Sequence, residues 1–309
     1  MRKPPALRSG DRIAIVAPAS PFSREAFDAG IREIASLGFE PVYQEDVFAR
    51  DGYVAGPPEV RARAWISAWQ DTSVRGLIAA RGGYGSVQML PLLDPAAVRA
   101  QPKAFIGYSD NTSLLTWLTQ QGATVAFHGP MVEGQFAKGA AGYDRDTFLR
   151  CLCDAVPMGE ITHPALEALQ PGEAEGVLVG GTLTQLTASL GTPFAFDPPR
   201  GCLLFVDEVA ERPYRVDRML TQLRLAGILE RTAAIVFGEL PRCDESPAGP
   251  TARAAALRAL HGFPGPVLFG LPSGHTTGPT FTLPLGVRAR VRANGHPAVL
   301  IEEPAVTER

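Results

Sequence analysis

The sequence has little of several features that would each point to a particular class of protein. It has only 4 cysteines in 309 residues, and their spacing matches neither a zinc site nor a thioredoxin motif, which favours a reducing compartment over a disulfide framework. No apolar run approaches the roughly 18 residues that a membrane-spanning helix needs. The net charge of -3 excludes the basic surface that is typical of nucleic-acid-binding proteins. We therefore expect neither a nucleic acid nor a membrane as a partner.

The amino-terminal region also lacks the pattern of a secretion signal. Its apolar stretch at 13–19 is short, and Arg8, Asp11 and Arg12 interrupt the region where a longer one would lie. A hydrophobic content of 45% excludes disorder as the main state, and the 32 glycines and 28 prolines show no collagen-like period. We expect a cytoplasmic globular protein with one large or two ordinary domains.

Short apolar runs alternate with helical patterns along the first half of the chain. An apolar run that ends in a turn predicts a buried strand, and apolar residues at three- and four-residue spacing predict a helix. This alternation is typical of a parallel sheet with helices on both faces, so the predicted fold class is α/β, with a flavodoxin-like or Rossmann-like sheet. The predicted strands lie at 12–20, 39–44, 76–81, 104–110 and 124–130, and the main helices at 24–38, 60–71 and 111–122.

A segment of weak periodicity, rich in glycine, proline and glutamate, separates the two halves. We place a linker at 151–175, between an N-terminal α/β domain at 1–150 and a C-terminal α/β domain at 176–309. The C-terminal domain ends in a β-rich tail of three predicted short strands, in which Asn294-Gly295 is a hairpin turn. Its other predicted elements are strands at 202–210 and 233–240 and helices at 214–229 and 252–262.

Ser109 is the first candidate for a chemical role. It lies in Gly107-Tyr108-Ser109-Asp110, where a predicted strand gives way to a helix. A serine at such a turn is lifted out of the sheet and lies near the positive end of the helix dipole, which suits a nucleophile. The alternative is that Ser109 or Asp110 only caps the helix that follows. The motif is not G-x-S-x-G, so the sequence leaves both interpretations open.

A glycine-rich turn, Arg81-Gly82-Gly83, directly follows another predicted strand. Such a turn can direct backbone N–H groups at an anion. The pattern is neither a P-loop nor a dinucleotide-binding fingerprint, so a functional role would be to donate hydrogen bonds to an oxyanion. A plain tight turn is the alternative.

Serine chemistry needs a base, which is most often histidine. His128 follows a predicted strand, and His275 lies in a loop dense in glycine and proline; the residue pattern favours neither over the other. Asp207 and Glu208 end a predicted strand, where an acid could orient the imidazole. Because side chains alternate along a strand, only one of these two acids can face the site. The chain carries no metal-binding motif, and we expect neither a metal nor a cofactor.

These segments together resemble the L,D-carboxypeptidases of serine peptidase family S66, also called muramoyltetrapeptide carboxypeptidases. The resemblance covers nearly the whole chain as an ordered set of segments, each of which is weak alone. They are GDRIAIVAPAS at 10–20, ARGGYGSVQMLPLLD at 80–94, FIGYSDNTSLLTWL at 105–118, HGP at 128–130, GGTLTQLTASLGTPF at 180–194, FVDEVAERPYRVDRMLTQL at 205–223, GLPSGH at 270–275 and TLPLG at 282–286.

The resemblance implies a triad of serine, acid and histidine, with Ser109 as the nucleophile and His275, not His128, as the base. The family's acid is the first carboxylate of a Glu-Asp pair, and Asp207 occupies that position here. Position favours Asp207 and side-chain type favours Glu208, so we expect Asp207 to act and keep Glu208 as the alternative.

Two smaller departures from the family pattern leave the details of the pocket open. Thr182 lies where the family often has asparagine, and Ser273 lies where it often has phenylalanine. Neither change touches a residue to which the resemblance assigns a step of the reaction.

The resemblance also implies an activity, which is the release of the terminal D-Ala from cytoplasmic murein tetrapeptide in peptidoglycan recycling, and a homodimer. We expect the site to lie between the two domains, because the nucleophile and the base come from different halves. We also expect backbone N–H groups of Asp110 and of Gly82 or Gly83 to stabilise the oxyanion. Arg81 is our candidate for binding the free carboxylate of the substrate.

Two other functions compete with this one. A branch of the same family gives immunity to microcin C-type antibiotics by hydrolysing a peptidyl or aminoacyl nucleotide, and stacks the nucleobase on a tryptophan before the acidic strand. Trp65, Trp69 and Trp117 all lie outside that region. The second alternative is a protein without enzymatic activity that binds a small ligand between two lobes.

Overall fold

Two β-sheets with helices on their faces organise the chain in the computed structural model, which describes residues 1–246 and 248–309. The first sheet contains β1 (Arg12–Val16), β2 (Glu40–Val42), β3 (Val74–Ala79), β4 (Ala104–Gly107) and β5 (Ala126–His128). These strands are parallel and lie in the order β2-β1-β3-β4-β5. This is the flavodoxin-like order, as the alternation of strands and helices predicts.

The helices between these strands begin at residues suited to a helix start. They are α1 (Arg24–Ser36), α2 (Pro58–Gln70), α3 (Pro95–Ala100) and α4 (Thr112–Gln120). The Ser23 hydroxyl accepts a hydrogen bond from the N–H of Ala26 and so caps α1. Pro58 begins α2, where its missing N–H leaves no helical hydrogen bond unmade. The helices cover both faces of the sheet, which is why its central strands are mostly apolar and buried.

The segment at 151–175, which we expected to be a linker, is structured. Helix α5 (Arg145–Cys153) runs into it, and β6 (Gly159–Ile161) and β7 (Glu167–Gln170) follow. Both strands belong to the second sheet and form its two edges. They are short and partly exposed, so their sequence shows no alternation long enough to indicate a strand.

The four central strands of the second sheet are parallel to one another. They are β8 (Glu173–Thr182), β9 (Cys202–Asp207), β10 (Thr232–Gly238) and β11 (Val267–Leu271). Helices α6 (Leu183–Ala188), α7 (Pro213–Leu225) and α8 (Ala252–Ala259) enclose an apolar core with this sheet. The antiparallel strand β7 pairs with β11 at the outer edge.

The tail forms the three predicted strands, β12 (Leu283–Leu285), β13 (Arg288–Arg292) and β14 (Ala298–Ile301). β13 and β14 pair as an antiparallel hairpin beside β8, so that the full order is β6-β14-β13-β8-β9-β10-β11-β7. β12 does not join this sheet, because it pairs antiparallel with β5 of the first one. The boundary that we place near residue 176 therefore leaves one strand of the first sheet in the second half of the chain.

The larger of two apolar cores extends across both halves of the chain. It includes Phe105 from β4, Leu203 from β9 and Leu283 from β12. Within the described residues, no helix combines the length and the apolar character that crossing a membrane requires.

Candidate active site

The candidate residues from both halves of the chain follow the carboxyl ends of parallel strands. Gly82 follows β3 and Ser109 follows β4, while Asp207 ends β9 and His275 follows β11. Ligand sites of open α/β sheets lie at this end of the strands. Within each sheet, the topology therefore places residues that are far apart in the sequence at the same edge.

Ser109 has a left-handed backbone conformation, with a φ of 61°. This conformation costs roughly 1–2 kcal/mol for a residue with a Cβ atom, and it is the kind of sharp strand-to-helix turn that presents a nucleophilic serine. The Asn111 amide supports the turn by donating hydrogen bonds to the carbonyls of Tyr108 and Arg81, each at 3.2 Å.

The helix-capping alternative for Ser109 and Asp110 does not match the geometry. Helix α4 begins after Asn111 without a side-chain cap, and within residues 1–246 and 248–309 the Ser109 hydroxyl makes no hydrogen bond. The Asp110 carboxylate instead accepts a hydrogen bond from the backbone N–H of Ser86 at 2.8 Å, while the Ser86 hydroxyl donates to the Asp110 carbonyl at 2.6 Å. The side chain of Asp110 thus links the serine turn to the loop that follows Gly82.

Gly82 lies directly against Ser109. A Cβ atom at position 82 would be 2.9 Å from Ser109 Cβ and 3.1 Å from Ser109 Oγ, so only glycine fits. Gly83 has a φ of 103°, which also favours glycine. In the part of the chain that the structure describes, the backbone N–H groups of Gly82 and Gly83 donate to no protein acceptor. Both are therefore available to an anion beside the serine.

Asp207 and His275 form a tight pair. The Asp207 carboxylate is fully buried and lies 2.7 Å from His275 Nδ1. It also accepts hydrogen bonds from the His275 backbone N–H at 3.1 Å and from the Thr182 hydroxyl at 3.3 Å. Gly274, with a φ of 81°, allows this approach, since a Cβ atom there would lie 2.5 Å from the carboxylate.

The charge of Asp207 determines the basicity of His275. Burial alone would lower the pKa of His275, but the charge of Asp207 and its hydrogen bond more than offset this effect, with a smaller contribution from Glu208. The pKa of His275 therefore lies above its usual value of 6.5. An imidazole held in this way has one oriented tautomer, with Nε2 facing away from the acid.

Glu208 faces away from this pair, as strand alternation requires. Its carboxylate accepts hydrogen bonds from the backbone N–H and the hydroxyl of Thr184, at 2.9 Å and 2.7 Å. Thr184 lies in the first turn of α6, so Glu208 stabilises the start of that helix. The geometry favours Asp207 over Glu208 as the acid that orients His275.

His128 is buried beside the pair without entering it. Its Nδ1 lies 3.0 Å from the Ser273 hydroxyl, which itself donates a hydrogen bond to the Phe281 carbonyl at 2.9 Å. Nδ1 must therefore carry the proton, because the Ser273 hydrogen is already used. Burial lowers the pKa of His128 to about 4, so the ring is neutral at ordinary pH.

A hydrogen bond and a ring contact join the two halves near the serine turn and the acid. The backbone N–H of Thr182, at the end of β8, donates to the hydroxyl of Thr112 at 3.0 Å, three residues after Ser109. The ring of Tyr108 lies 5.0 Å from the ring of His275, measured between centroids. The residue that precedes Ser109 therefore packs against the imidazole of His275.

Comparison with known families identifies this arrangement. A model of the LD-carboxypeptidase N-terminal domain matches residues 13–129, and a model of the LD-carboxypeptidase C-terminal domain matches residues 175–291. The chain belongs to the LD-carboxypeptidase family, peptidase family S66. The predicted family resemblance and fold class are thus confirmed, and the protein is a peptidase.

Individual relatives cover nearly all of the chain. The "Probable murein peptide carboxypeptidase" of Bacillus subtilis is 33% identical over 320 residues, which is 96% of this chain and 94% of that protein. The crystal structure of muramoyltetrapeptide carboxypeptidase from Oxalobacter formigenes matches with a TM-score of 0.84 and 30% identity, over 96% of this chain and 100% of that one.

A relative whose name describes a different function is also similar over nearly the full length. The microcin C7 self-immunity protein MccF of Escherichia coli is 26% identical over 98% of this chain and 96% of its own. Its structure in complex with aspartyl sulfamoyl adenosine has a TM-score of 0.89 at 23% identity, over 99% of this chain and 100% of that one. That structural likeness shows a shared fold.

Arg81, the expected carboxylate-binding residue, already has partners in the structure. Its guanidinium pairs with Glu133 at 3.1 Å and donates a hydrogen bond to the carbonyl of Pro21 at 2.8 Å. The side chain remains 45% exposed, so it can still meet a substrate anion.

Sequence analysis missed Arg242, an exposed residue in the loop after β10. Its positive charge opposes the rise in the pKa of His275 that Asp207 causes. Arg242 has a left-handed backbone, with a φ of 60°, which no residue pattern around it indicates. The signal that could have found it is its place after a parallel strand adjacent to β9.

Proposed function

We propose that this protein is a serine carboxypeptidase that cleaves an L,D-peptide bond and releases the terminal D-Ala of murein tetrapeptide during cell-wall recycling. The observation that carries the proposal is the buried Asp207 carboxylate on His275 Nδ1, beside a serine in a left-handed turn. Relatives named for murein peptide and muramoyltetrapeptide support the substrate class. The resemblance implies a cytoplasmic homodimer, and both properties are part of this proposal.

In the proposed reaction, Ser109 Oγ attacks the carbonyl carbon of the L,D-peptide bond while His275 Nε2 takes the hydroxyl proton. The carbonyl oxygen becomes an oxyanion. The C–N bond then breaks, and His275 returns the proton to the leaving amine of D-Ala. Water next attacks the acyl-enzyme, with His275 again acting as base, and releases the shortened peptide and Ser109. Asp207 stabilises the imidazolium that forms in each step.

The oxyanion would be stabilised by the free backbone N–H groups of Gly82 or Gly83 and by the backbone N–H of Asp110. The loss of one such donor costs about 3–4 kcal/mol of barrier in enzymes that use this device. Because the donors are backbone groups held by close packing, they need no reorganisation during the reaction.

A carboxypeptidase must also recognise the free carboxylate of the leaving residue. Arg81 is our proposed cation for this role, since its side chain is half-exposed and its backbone carbonyl is tied to the serine turn through Asn111. Arg242 is a second exposed arginine whose charge acts on the pKa of His275, and it would serve the same purpose from the other half of the chain.

The alternative function is hydrolysis of an aminoacyl or peptidyl nucleotide. The similarity of the chain to MccF over nearly its full length supports this alternative. The tryptophans give it no support as a nucleobase platform. Trp65, Trp69 and Trp117 are at most 2% exposed and pack on one another in the core of the first half.

The test follows D-Ala release from a muropeptide tetrapeptide by mass spectrometry, with the wild type, Ser109→Ala and Ser67→Ala. We expect Ser109→Ala to lower turnover by roughly 10⁴-fold or more, because it removes the nucleophile. Ser67→Ala changes an exposed serine of α2 and should retain full activity. Substantial D-Ala release by Ser109→Ala would contradict the mechanism.

Failure of the wild type to release D-Ala would contradict the proposed substrate. An aminoacyl sulfamoyl adenylate is then the next substrate to assay. Labelling of Ser109 by an activated phosphonate would exclude the remaining alternative, a protein that only binds a ligand, because labelling requires an activated nucleophile.

A further inference from the structure

Two exposed tyrosines lie beside the glycine turn and have no role in the mechanism above. Tyr53 is 70% exposed and Tyr84 is 46% exposed. Their ring centroids are 5.7 Å apart, and the rings are inclined by 59°. Exposed aromatic rings that form a joint surface are typical of binding sites, because burial of each ring against a ligand removes a large apolar area from water.

Hydrogen bonds to the Ser20 side chain hold together the two loops that carry these tyrosines. The Ser20 hydroxyl donates a hydrogen bond to the Tyr53 carbonyl at 2.8 Å and accepts one from the Tyr84 N–H at 3.1 Å. The backbone N–H of Ser20 donates to the carbonyl of Gly82 at 3.1 Å. One serine therefore fixes both tyrosines relative to the turn that touches Ser109.

A buried guanidinium adds a second tie between the same loops. Arg61 is 4% exposed and donates hydrogen bonds to the carbonyls of Gly56 at 2.8 Å, Gly85 at 2.7 Å and Pro18 at 2.6 Å. A buried arginine is costly unless its donors are satisfied, and these acceptors belong to the three loops around the tyrosines. The tyrosine surface is thus preorganised, which reduces the entropy lost when a ligand binds.

The distance to the catalytic serine limits which part of a substrate this surface can meet. Tyr84 is two residues from Gly82, so their Cα atoms are at most about 7.6 Å apart, and Gly82 contacts Ser109. The leaving group of the proposed reaction is a single D-Ala with a methyl side chain, which is too small to cover two tyrosine rings. The surface therefore matches the longer acyl side of the peptide.

We propose that Tyr53 and Tyr84 form a subsite for the acyl-side stem of the substrate, two or more residues before the scissile bond. This inference rests on the proposed carboxypeptidase function and adds a determinant of substrate length. The stem packs on the tyrosine rings, and this contact makes a tetrapeptide a better substrate than a peptide that begins at the residue just before the scissile bond.

The test compares two substrates with the same scissile bond, which are the murein tetrapeptide and an N-acetylated dipeptide of its last two residues. Tyr53→Ala and Tyr84→Ala should each lower kcat/KM for the tetrapeptide by about tenfold, mainly through KM. The value for the dipeptide should change less than twofold. Tyr53→Phe and Tyr84→Phe retain the ring and should behave as the wild type with both substrates.

Leu225→Ala is the matched control, because Leu225 is 84% exposed and ends α7 far from the site. An equal loss with both substrates would overturn the inference, since it would mean that the tyrosines only support the glycine turn. No loss with either substrate, or a wild type that cleaves the dipeptide as well as the tetrapeptide, would overturn it too. If the wild type cleaves neither substrate, the proposed function fails and the subsite with it.

Discussion

Asp207 is the residue on which the electrostatics of the site depend. Its carboxylate has no exposure to solvent and contacts His275 through both the ring and the backbone N–H. An aspartate is one methylene shorter than the glutamate that the family resemblance leads us to expect. It still reaches the imidazole here because the backbone at Gly274 and His275 comes close to the strand end.

Replacement of this acid has a predicted effect on the pH dependence of activity. His275 must be neutral to accept the serine proton, so kcat/KM of the wild type rises with pH through a pKa above 6.5. In Asp207→Asn the negative charge is lost, and burial then lowers that pKa. We expect the acidic limb to move to lower pH, and the maximal rate to fall by about 10³- to 10⁴-fold, as measured by steady-state kinetics across pH.

Glu208→Gln is the matched variant for this measurement. The glutamine can still accept hydrogen bonds from Thr184 at the start of α6, so activity should stay within a fewfold of the wild type. Because Glu208 contributes less than Asp207 to the pKa of His275, the acidic limb should move less than in Asp207→Asn. A large kinetic loss in Glu208→Gln, with a mild one in Asp207→Asn, would reverse the assignment of the acid.

At the scale of elements, the turns after β3 and β4 act as one unit. Asn111 and Asp110 from the serine turn bind Arg81 and Ser86 on either side of the glycines. The oxyanion donors and the nucleophile therefore cannot move independently. This coupling explains why the glycine turn tolerates no side chain at position 82.

Gly82→Ala tests the coupling of the two turns. The new Cβ would lie 2.9 Å from Ser109 Cβ, closer than real contacts allow, so the turns must separate. A displacement on the order of 1 Å costs about 10²-fold in rate, and we expect kcat to fall by about 10- to 100-fold while the protein stays folded by circular dichroism. Gly278→Ala, where a Cβ meets nothing within 4 Å, should leave kcat unchanged. Equal kcat values for the two variants would contradict the coupling.

At the scale of the whole molecule, the two halves are not independent bodies. β12 comes from the second half and covers the edge of β5 in the first sheet, and the larger core contains residues from both halves. At the chain ends, Arg309 pairs with Asp11 at 2.7 Å. A fragment that ends at residue 150 would expose the β5 edge and part of this core.

Thermal unfolding tests whether the two halves of the chain unfold together. Because one core spans both halves, we expect differential scanning calorimetry to show a single transition whose calorimetric and van't Hoff enthalpies agree. The isolated fragment 1–150 should unfold at a lower temperature than the full chain or aggregate. Two separate transitions in the full chain would show that the halves unfold independently.

The sequence predicted the elements whose apolar pattern is long. Helix α1 buries Phe27 and Ile34 at the predicted spacing, and most parallel strands lie where apolar runs end in turns. The parallel strand β11 was not predicted. The sequence did not predict β6 and β7, because each has only three or four partly exposed residues. It also did not predict that β12 joins the first sheet, since local pattern does not encode a partner some 150 residues away.

By itself, the sequence determined the α/β architecture and the family, and it identified Ser109, His275 and the glycine turn as candidates. These conclusions rest on periodicity and on short motifs, which are local properties. Only the tertiary structure decided that Asp207 faces His275 while Glu208 binds the start of α6, and that Tyr53 and Tyr84 share one surface. Such choices depend on contacts between residues that are distant in the chain, and folding alone brings those residues together.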